Sequence, residues 1–201
     1  ICAIGGDGTM HEIINGMLKR KDKKNVPIGL IPGGSGNSYL HDLKLTNPTN
    51  VVKKIISNNM QLMDVVKIEI NDEISYAMNM IGWGLVTDIG NKAEKYRWLG
   101  TNRYTILSVI EVFTHNSRPA TLIMEKETIK DNFTFIIACN SIHIGNAMKM
   151  APKAKLNDGL IDLVVVKSNV SRMRLLTTLP KLFDGSHLNQ PEVSYYQTPY
   201  F

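Results

Sequence analysis

A strand that empties into glycines and re-emerges as a helix occurs twice within the first 45 residues, and this repeat constrains the fold more than any other feature. The first unit is Ile1-Cys2-Ala3-Ile4-Gly5-Gly6-Asp7-Gly8-Thr9-Met10. Its apolar start reads as a strand and its glycines as a turn, after which Met10, Ile13, Ile14, Met17 and Leu18 recur at helical spacing. Glycines around Asp7 let the backbone take positive φ and aim several N–H groups at one point, a concavity suited to phosphate oxygens. The positive end of the following helix faces the same place. The second unit runs from the apolar residues 28–31 into Pro32-Gly33-Gly34-Ser35-Gly36-Asn37-Ser38 and on to Tyr39, Leu40 and Leu43. In a parallel sheet both loops fall at the C-terminal edge, where ligands of open α/β sheets bind. Asp7 is therefore the candidate general base for a hydroxyl attacking a phosphoryl group. Gly-Asp-Gly alone reads equally well as a tight turn before a helix; the second loop favours the site.

The 201 residues, 43% of them hydrophobic, supply core for one large domain or two small ones. No run of about 18 apolar residues is present, so no membrane span is expected, and the start lacks a signal-peptide pattern. The chain opens without Met in mid-strand and so reads as a piece of a longer protein. Cys2 and Cys139 both lie in apolar runs and read as reduced core thiols of a cytosolic protein. A net charge of +5 and a pI near 9.1 suit an anionic partner, whether nucleotide, anionic membrane or nucleic acid, without choosing among them.

Residues 19–24 form a basic run that reads first as a solvated helix end and second as a membrane contact. Residues 49–56 read as a short helix broken by Asn58 and Asn59. Beyond it the texture changes, which places a boundary near Met60 between an α/β part (1–60) and a β-rich part (61–201). Apolar or β-branched runs at 63–70, 74–80, 120–125, 133–140 and 160–167 predict strands of an antiparallel, sandwich-like domain. They are separated by turn signals such as Asn71-Asp72 and Asn157-Asp158-Gly159. Helices are predicted at about 102–113 and 171–183, with Pro180 kinking or ending the second. The five histidines lack ligand spacing and read as structural, and the paired methionines (Met78 and Met80, Met148 and Met150) read as core.

Together, Gly-Gly-Asp-Gly-Thr and Pro-Gly-Gly-Ser-Gly-Asn resemble the lipid kinases of the diacylglycerol kinase and sphingosine kinase superfamily. The stretch from Gly6 to Glu12 with Asn15-Gly16, and Trp83-Gly84 leading into Glu94-Lys95-Tyr96-Arg97-Trp98-Leu99-Gly100 and Arg103, look most like sphingosine kinase. The resemblance implies a partial α/β nucleotide-binding domain, truncated at its N-terminus, packed on an antiparallel β-sandwich-like lipid-binding domain with ATP between them. It puts Asp7 in the proton acceptor's place, with Gly5, Gly6 and Gly8 around the reacting hydroxyl. Glu12, Gly34, Ser35, Gly36, Arg97 and Arg103 fall at nucleotide-contacting positions, the arginines on the phosphates. Asp158 falls where the bacterial branch holds a magnesium ion, although an Asn-Asp-Gly turn also explains it.

The resemblance further implies an ATP- and Mg²⁺-dependent kinase of a lipid primary hydroxyl, cytoplasmic and peripherally membrane-associated, with a sphingoid base as substrate and no nucleic-acid partner. Two departures from the family pattern stand against it. Gly90 occupies the place where sphingosine kinases carry an acid for the substrate ammonium, leaving Asp88 as a stand-in, and the chain stops before the family's late Asp-Gly-Glu segment. Gly90 favours a diacylglycerol or ceramide kinase as alternative. NAD kinase shares Gly-Gly-Asp-Gly but not the Trp-Gly and Glu-Lys-Tyr-Arg segments. A catalytically silent lipid- or nucleotide-binding module is the alternative of another class, disfavoured by Asp7 and both arginines.

Overall fold

The computed structural model describes every residue apart from Ser35, Arg97, Leu99, Gly100, Thr101, Asn102 and Asn169, and apart from the side chains of Glu94, Arg103, Tyr104, Thr105 and Asn146. Strand β1 (Cys2–Gly5) pairs in parallel with β2 (Gly29–Pro32), Cys2 opposite Gly29 and Gly5 opposite Pro32. Helix α1 (Asp7–Leu18) connects them, and α2 (Ser38–Asp42) and α3 (Pro48–Ile56) follow. Both glycine loops thus leave the same edge of the sheet. Helix α3 is started by Asn47, whose side chain accepts the N–H groups of Thr49 and Asn50 at 2.9 and 3.3 Å, with Pro48 at the first helical position.

The core of this part is Met10 and Ile14 from α1, Leu30 from β2, and Tyr39 and Leu40 from α2. Met78 is buried with them, and Met63, Val65, Tyr76 and Leu156 pack against the cluster, so apolar contact continues well past residue 60. A polar contact crosses the same seam. Buried Asn15 of α1 donates to the Tyr76 carbonyl at 2.8 Å and accepts the Tyr76 N–H at 2.9 Å. Its amide therefore offers a strand the same donor and acceptor pair that a neighbouring strand would.

Strands β3 (Val66–Ile70) and β4 (Glu73–Ala77) form a hairpin around Asn71 and Asp72, whose φ angles of 49° and 66° are those a two-residue hairpin turn requires. Then come β5 (Met80–Gly84), α4 (Leu85–Lys95), α5 (Arg103–Thr114), β6 (Arg118–Ile123) and β7 (Thr128–Cys139). The two-residue strands β8 (His143–Ile144) and β9 (Met148–Lys149) pair with each other. The chain closes with β10 (Ile161–Lys167), α6 (Arg172–Thr178) and β11 (Val193–Thr198). An antiparallel sheet runs β11-β10-β7-β5, with β6 also paired to β7. Its central strands are covered on both faces. Ile137, Cys139 and Val164 point to a cluster with Met150, Ala151 and Leu182, while Ile136, Ala138, Leu163 and Val165 point to another with Leu122, Met124 and Phe133. Double coverage is why residues 163–166 are apolar without interruption. The α/β part joined to an antiparallel, sandwich-like part is the architecture expected from the sequence.

Several local expectations are corrected. Cys2 is exposed, because its side of β1 has little packed on it, whereas Cys139 is fully buried. The run 74–80 is two strands, divided at Met78 and Asn79, where the Asn79 carbonyl accepts the Asn140 N–H at 2.8 Å. Met80 is exposed rather than core. Residues 85–95 form a helix that the sequence pattern does not announce. It starts at Gly84, with φ of +80° and a backbone so close to β7 that a Cβ would lie 2.6 Å from the Thr134 carbonyl oxygen. Pro180 acts as expected: α6 ends at Thr178 and the chain tightens into a 3₁₀ turn over Leu179–Leu182. Among the described residues no helix is long and apolar enough to cross a membrane.

Candidate active site

The two glycine loops meet backbone to backbone. A Cβ on Gly6 would sit 2.9 Å from the Gly34 Cα, and one on Gly34 only 2.5 Å from the Gly6 Cα. The Gly33 N–H donates to the Gly5 carbonyl at 2.9 Å, extending the β1–β2 pairing into the loops. Asn37, itself left-handed at φ 49°, closes the second loop. Its side-chain oxygen accepts the Gly34 N–H at 3.0 Å and its amide donates to the Gly34 carbonyl at 2.7 Å.

Asp7 stands at this junction as the first residue of α1. Its Oδ2 accepts the Ser38 N–H at 2.9 Å and its Oδ1 the Tyr39 N–H at 3.0 Å. One acid of the first unit thus caps the helix of the second, and two amides from buried residues set its orientation. Each carboxylate oxygen keeps a further lone pair, so the capped group can still take up a proton. Gly5, Gly6, Gly8, Gly34 and Gly36 surround it in the two loops, Gly36 so near that a Cβ there would lie 3.5 Å from Asp7 Oδ2. Gly8 and Thr9 are exposed beside it, and Glu12 is exposed farther along α1.

The other candidates lie elsewhere. Asp88, on α4, holds the Arg118 guanidinium with both oxygens at 2.8 and 3.0 Å, and His115 Nδ1 is 3.5 Å from its Oδ2. Two residues along a helix differ by about 200° in direction, so Asp88 and position 90 do not share a side of α4. Asp158 lies in the exposed turn before β10, where its Oδ1 accepts the Leu160 N–H at 3.2 Å, and Asp64 accepts the adjoining Gly159 N–H at 2.7 Å. Among the described residues no three His, Cys, Asp or Glu side chains gather as a metal cage. Ser35, Arg97 and the Arg103 side chain lie outside the described residues.

Against known families, residues 1–68 match the diacylglycerol kinase catalytic domain and residues 79–199 match the YegS C-terminal NAD kinase beta sandwich-like domain. The chain belongs to this superfamily of lipid kinases. Sphingosine kinase 1 of Arabidopsis thaliana is 28% identical over an alignment covering 100% of this chain and 51% of that protein. A diacylglycerol kinase of Mycobacterium tuberculosis is 26% identical, covering 96% and 63%. The crystal structure of a diacylglycerol kinase from Bacillus anthracis str. Sterne shares the fold at a TM-score of 0.67 and 19% identity, covering 98% of this chain and 62% of that one. The chain spans between about half and two thirds of the length of these relatives.

Sequence reasoning missed two buried carboxylates because each is recognisable only by its partners. Asp42, at the end of α2, accepts the Ile142 N–H at 2.8 Å and the His143 N–H at 3.2 Å and pairs with His143 Nδ1. Burial pushes its pKa up, while the His143 contacts and the Ile142 amide pull against that shift. His41 and His143, far apart in sequence, bring their rings to 5.7 Å. Asp162, fully buried in β10, accepts Tyr195 Oη–H and the Gln197 amide through one oxygen, and the other has no partner among the described residues. Burial raises its pKa as well.

Proposed function

We propose that this chain carries the catalytic centre of an ATP-dependent lipid kinase that phosphorylates a primary hydroxyl of a long-chain lipid, with a sphingoid base as first candidate. The observation that carries the reading is Asp7, held by two amides where the two glycine loops touch. The lipid O–H gives its proton to Asp7 as its oxygen bonds to the γ-phosphorus, and the bond to the β–γ bridging oxygen breaks to release ADP. The exposed N-terminal turn of α1 is suited to the phosphate charge. Arg97 and Arg103 are proposed as the phosphate clamp and Glu12, Gly34, Ser35 and Gly36 as nucleotide contacts, on the family match alone.

A magnesium ion fits this centre as part of Mg-ATP. With no cage of three acidic or histidine side chains among the described residues, nucleotide oxygens would supply most of its ligands, and Asp158 is a candidate for a separate site. Diacylglycerol or ceramide is the second reading of the substrate, favoured by Gly90, where no charge faces a headgroup ammonium. Membrane contact at a peripheral surface follows from a lipid substrate and is proposed with it. The test is the full-length protein with radiolabelled ATP against sphingosine, ceramide and diacylglycerol. Phosphate on sphingosine supports the first reading, phosphate on a neutral lipid the second, and none on any lipid rejects both.

A further inference from the structure

Helix α2 is only five residues long and carries a carboxylate at each end. At its start Ser38 and Tyr39 donate their N–H groups to Asp7. At its end Asp42 reaches across to the antiparallel part, where its carboxylate, 2% exposed, takes the Ile142 and His143 amides and the His143 ring. Apolar packing already seats the helix, since Tyr39 and Leu40 are each 2% exposed in the cluster with Met10 and Leu30. A buried carboxylate is a costly way to add cohesion, because a charge leaves water and must be met by several donors. Its distinctive property is direction: three donors at fixed positions allow one placement of the helix end.

We propose that Asp42 and His143 are positioning residues for phosphoryl transfer, a latch that ties α2 to the β8 segment and so sets where the Ser38 and Tyr39 amides hold Asp7. The inference rests on Asp7 being the base. Over five residues the helix is too short to bend, so a shift at Asp42 arrives at Ser38 nearly undiminished. Small misplacement of reacting groups is expensive in rate, up to about 10²-fold for 1 Å. It costs little in nucleotide affinity, because the glycine loops are joined independently through Gly33 and Gly5.

The test uses the full-length protein, radiolabelled ATP and whichever lipid it phosphorylates, with rates expressed per nucleotide-binding site so that unfolded protein does not count. Asp42→Asn keeps the shape but loses the charge, and should lower kcat about tenfold with the KM for ATP changed less than about twofold. His143→Gln removes only the ring donor, leaves both backbone bonds, and should lower kcat about threefold; it decides the matter if Asp42→Asn does not fold. The double variant should be no slower than Asp42→Asn, because both changes break one latch. Unchanged kcat in His143→Gln and in folded Asp42→Asn, beside an inactive Asp7→Asn, overturns the latch and leaves the base in place. A rise in KM for ATP that matches the fall in kcat also overturns it, since that reports general loosening. Full activity in Asp7→Asn removes the base itself and the latch with it.

Discussion

The crest formed by the two glycine loops and the pair of helices α4 and α5 organise charge in opposite ways. At the crest almost all the positioning is done by backbone: glycines in mutual contact, a carbonyl bridging the loops, and two amides on Asp7. Along α4, facing α5 and the start of β6, side chains do it. Asp88 pairs with Arg118, and Lys92 pairs with Glu111, around an open polar cavity of about 550 Å³. Backbone donors lose little freedom when they bind, so the crest is preorganised, a property that catalysis by positioning and electrostatics needs. Arg118, about half exposed, must be ordered and is screened by salt, so its pair contributes little, whereas Lys92 answers the buried Glu111 carboxylate, which would be costly to leave without it.

The comparison breaks first at Asp7. Asp7→Asn should lower kcat on the order of 10²–10⁴-fold, the ordinary cost of losing a general base, with ATP binding little changed. Steady-state rates and nucleotide titration of the full-length protein check this, and full activity in a folded variant would place the chemistry elsewhere.

Gly34→Ala tests whether the backbone contact itself matters. The new Cβ would lie 2.5 Å from the Gly6 Cα, so the loops must part, at a cost of about 1–3 kcal/mol in stability and a fall in kcat. A denaturant titration with wild-type midpoint and unchanged kcat would show the crest to be loose.

Position 90 provides the contrast. A Cβ there meets nothing within 4 Å among the described residues and the φ of Gly90 is not positive, so Gly90→Asp should fold. A carboxylate facing an ammonium is worth roughly 1.5–3 kcal/mol, so kcat/KM for sphingosine should rise about tenfold or more over a neutral lipid. If the wild type already prefers sphingosine strongly and the folded variant gains nothing, another group holds the ammonium. Gly90→Ala should raise helix stability by about 0.5–1 kcal/mol, read as a higher melting temperature.

Buried Asp162 calibrates what a charge without full partnering costs. Its pKa is raised by burial, so the stability it contributes is present below the ordinary carboxylate range and is lost as pH rises through the folded value. Asp162→Asn should flatten that decline, gaining about 1 kcal/mol at about pH 8 and nothing near about pH 3, as read by melting curves across pH. The smallest effect is expected for Arg118→Gln, an exposed pair whose loss should cost under about 1 kcal/mol and shrink further in high salt. A larger, salt-insensitive loss would mean that the seating of α4 on β6 depends on this charge pair as the crest depends on its amides.

Much of the crest was legible in the amino-acid sequence, because glycine, a turn carboxylate and helical periodicity are local signals with local causes. Both glycine loops, the strand and helix flanking each, a helix from about Thr49 and a break at Pro180 all followed from residues close together in the chain. Apolar or β-branched runs made β3, β7 and β10 legible, but the run 74–80 breaks where Asn79 receives Asn140, and β5 beyond Met80 and the edge strand β11 were not anticipated. Helix α4 was not anticipated, since Gly90 lies in its interior, where glycine disfavours a helix. Only the packed sheet shows that Gly84 is needed for its approach to Thr134, and that Gly90 lies in a helix that it weakens.

Tertiary structure alone decided which carboxylates have partners and which do not. Asp42 meets donors a hundred residues away, Asn15 completes β4 from a helix, and Asp162, between β7 and β11, keeps one oxygen unpaired among the described residues. Periodicity reports which side of an element is apolar, but a polar group's partner depends on which elements the fold brings side by side. That placement is set by the summed burial of the apolar faces. No short stretch of sequence records it.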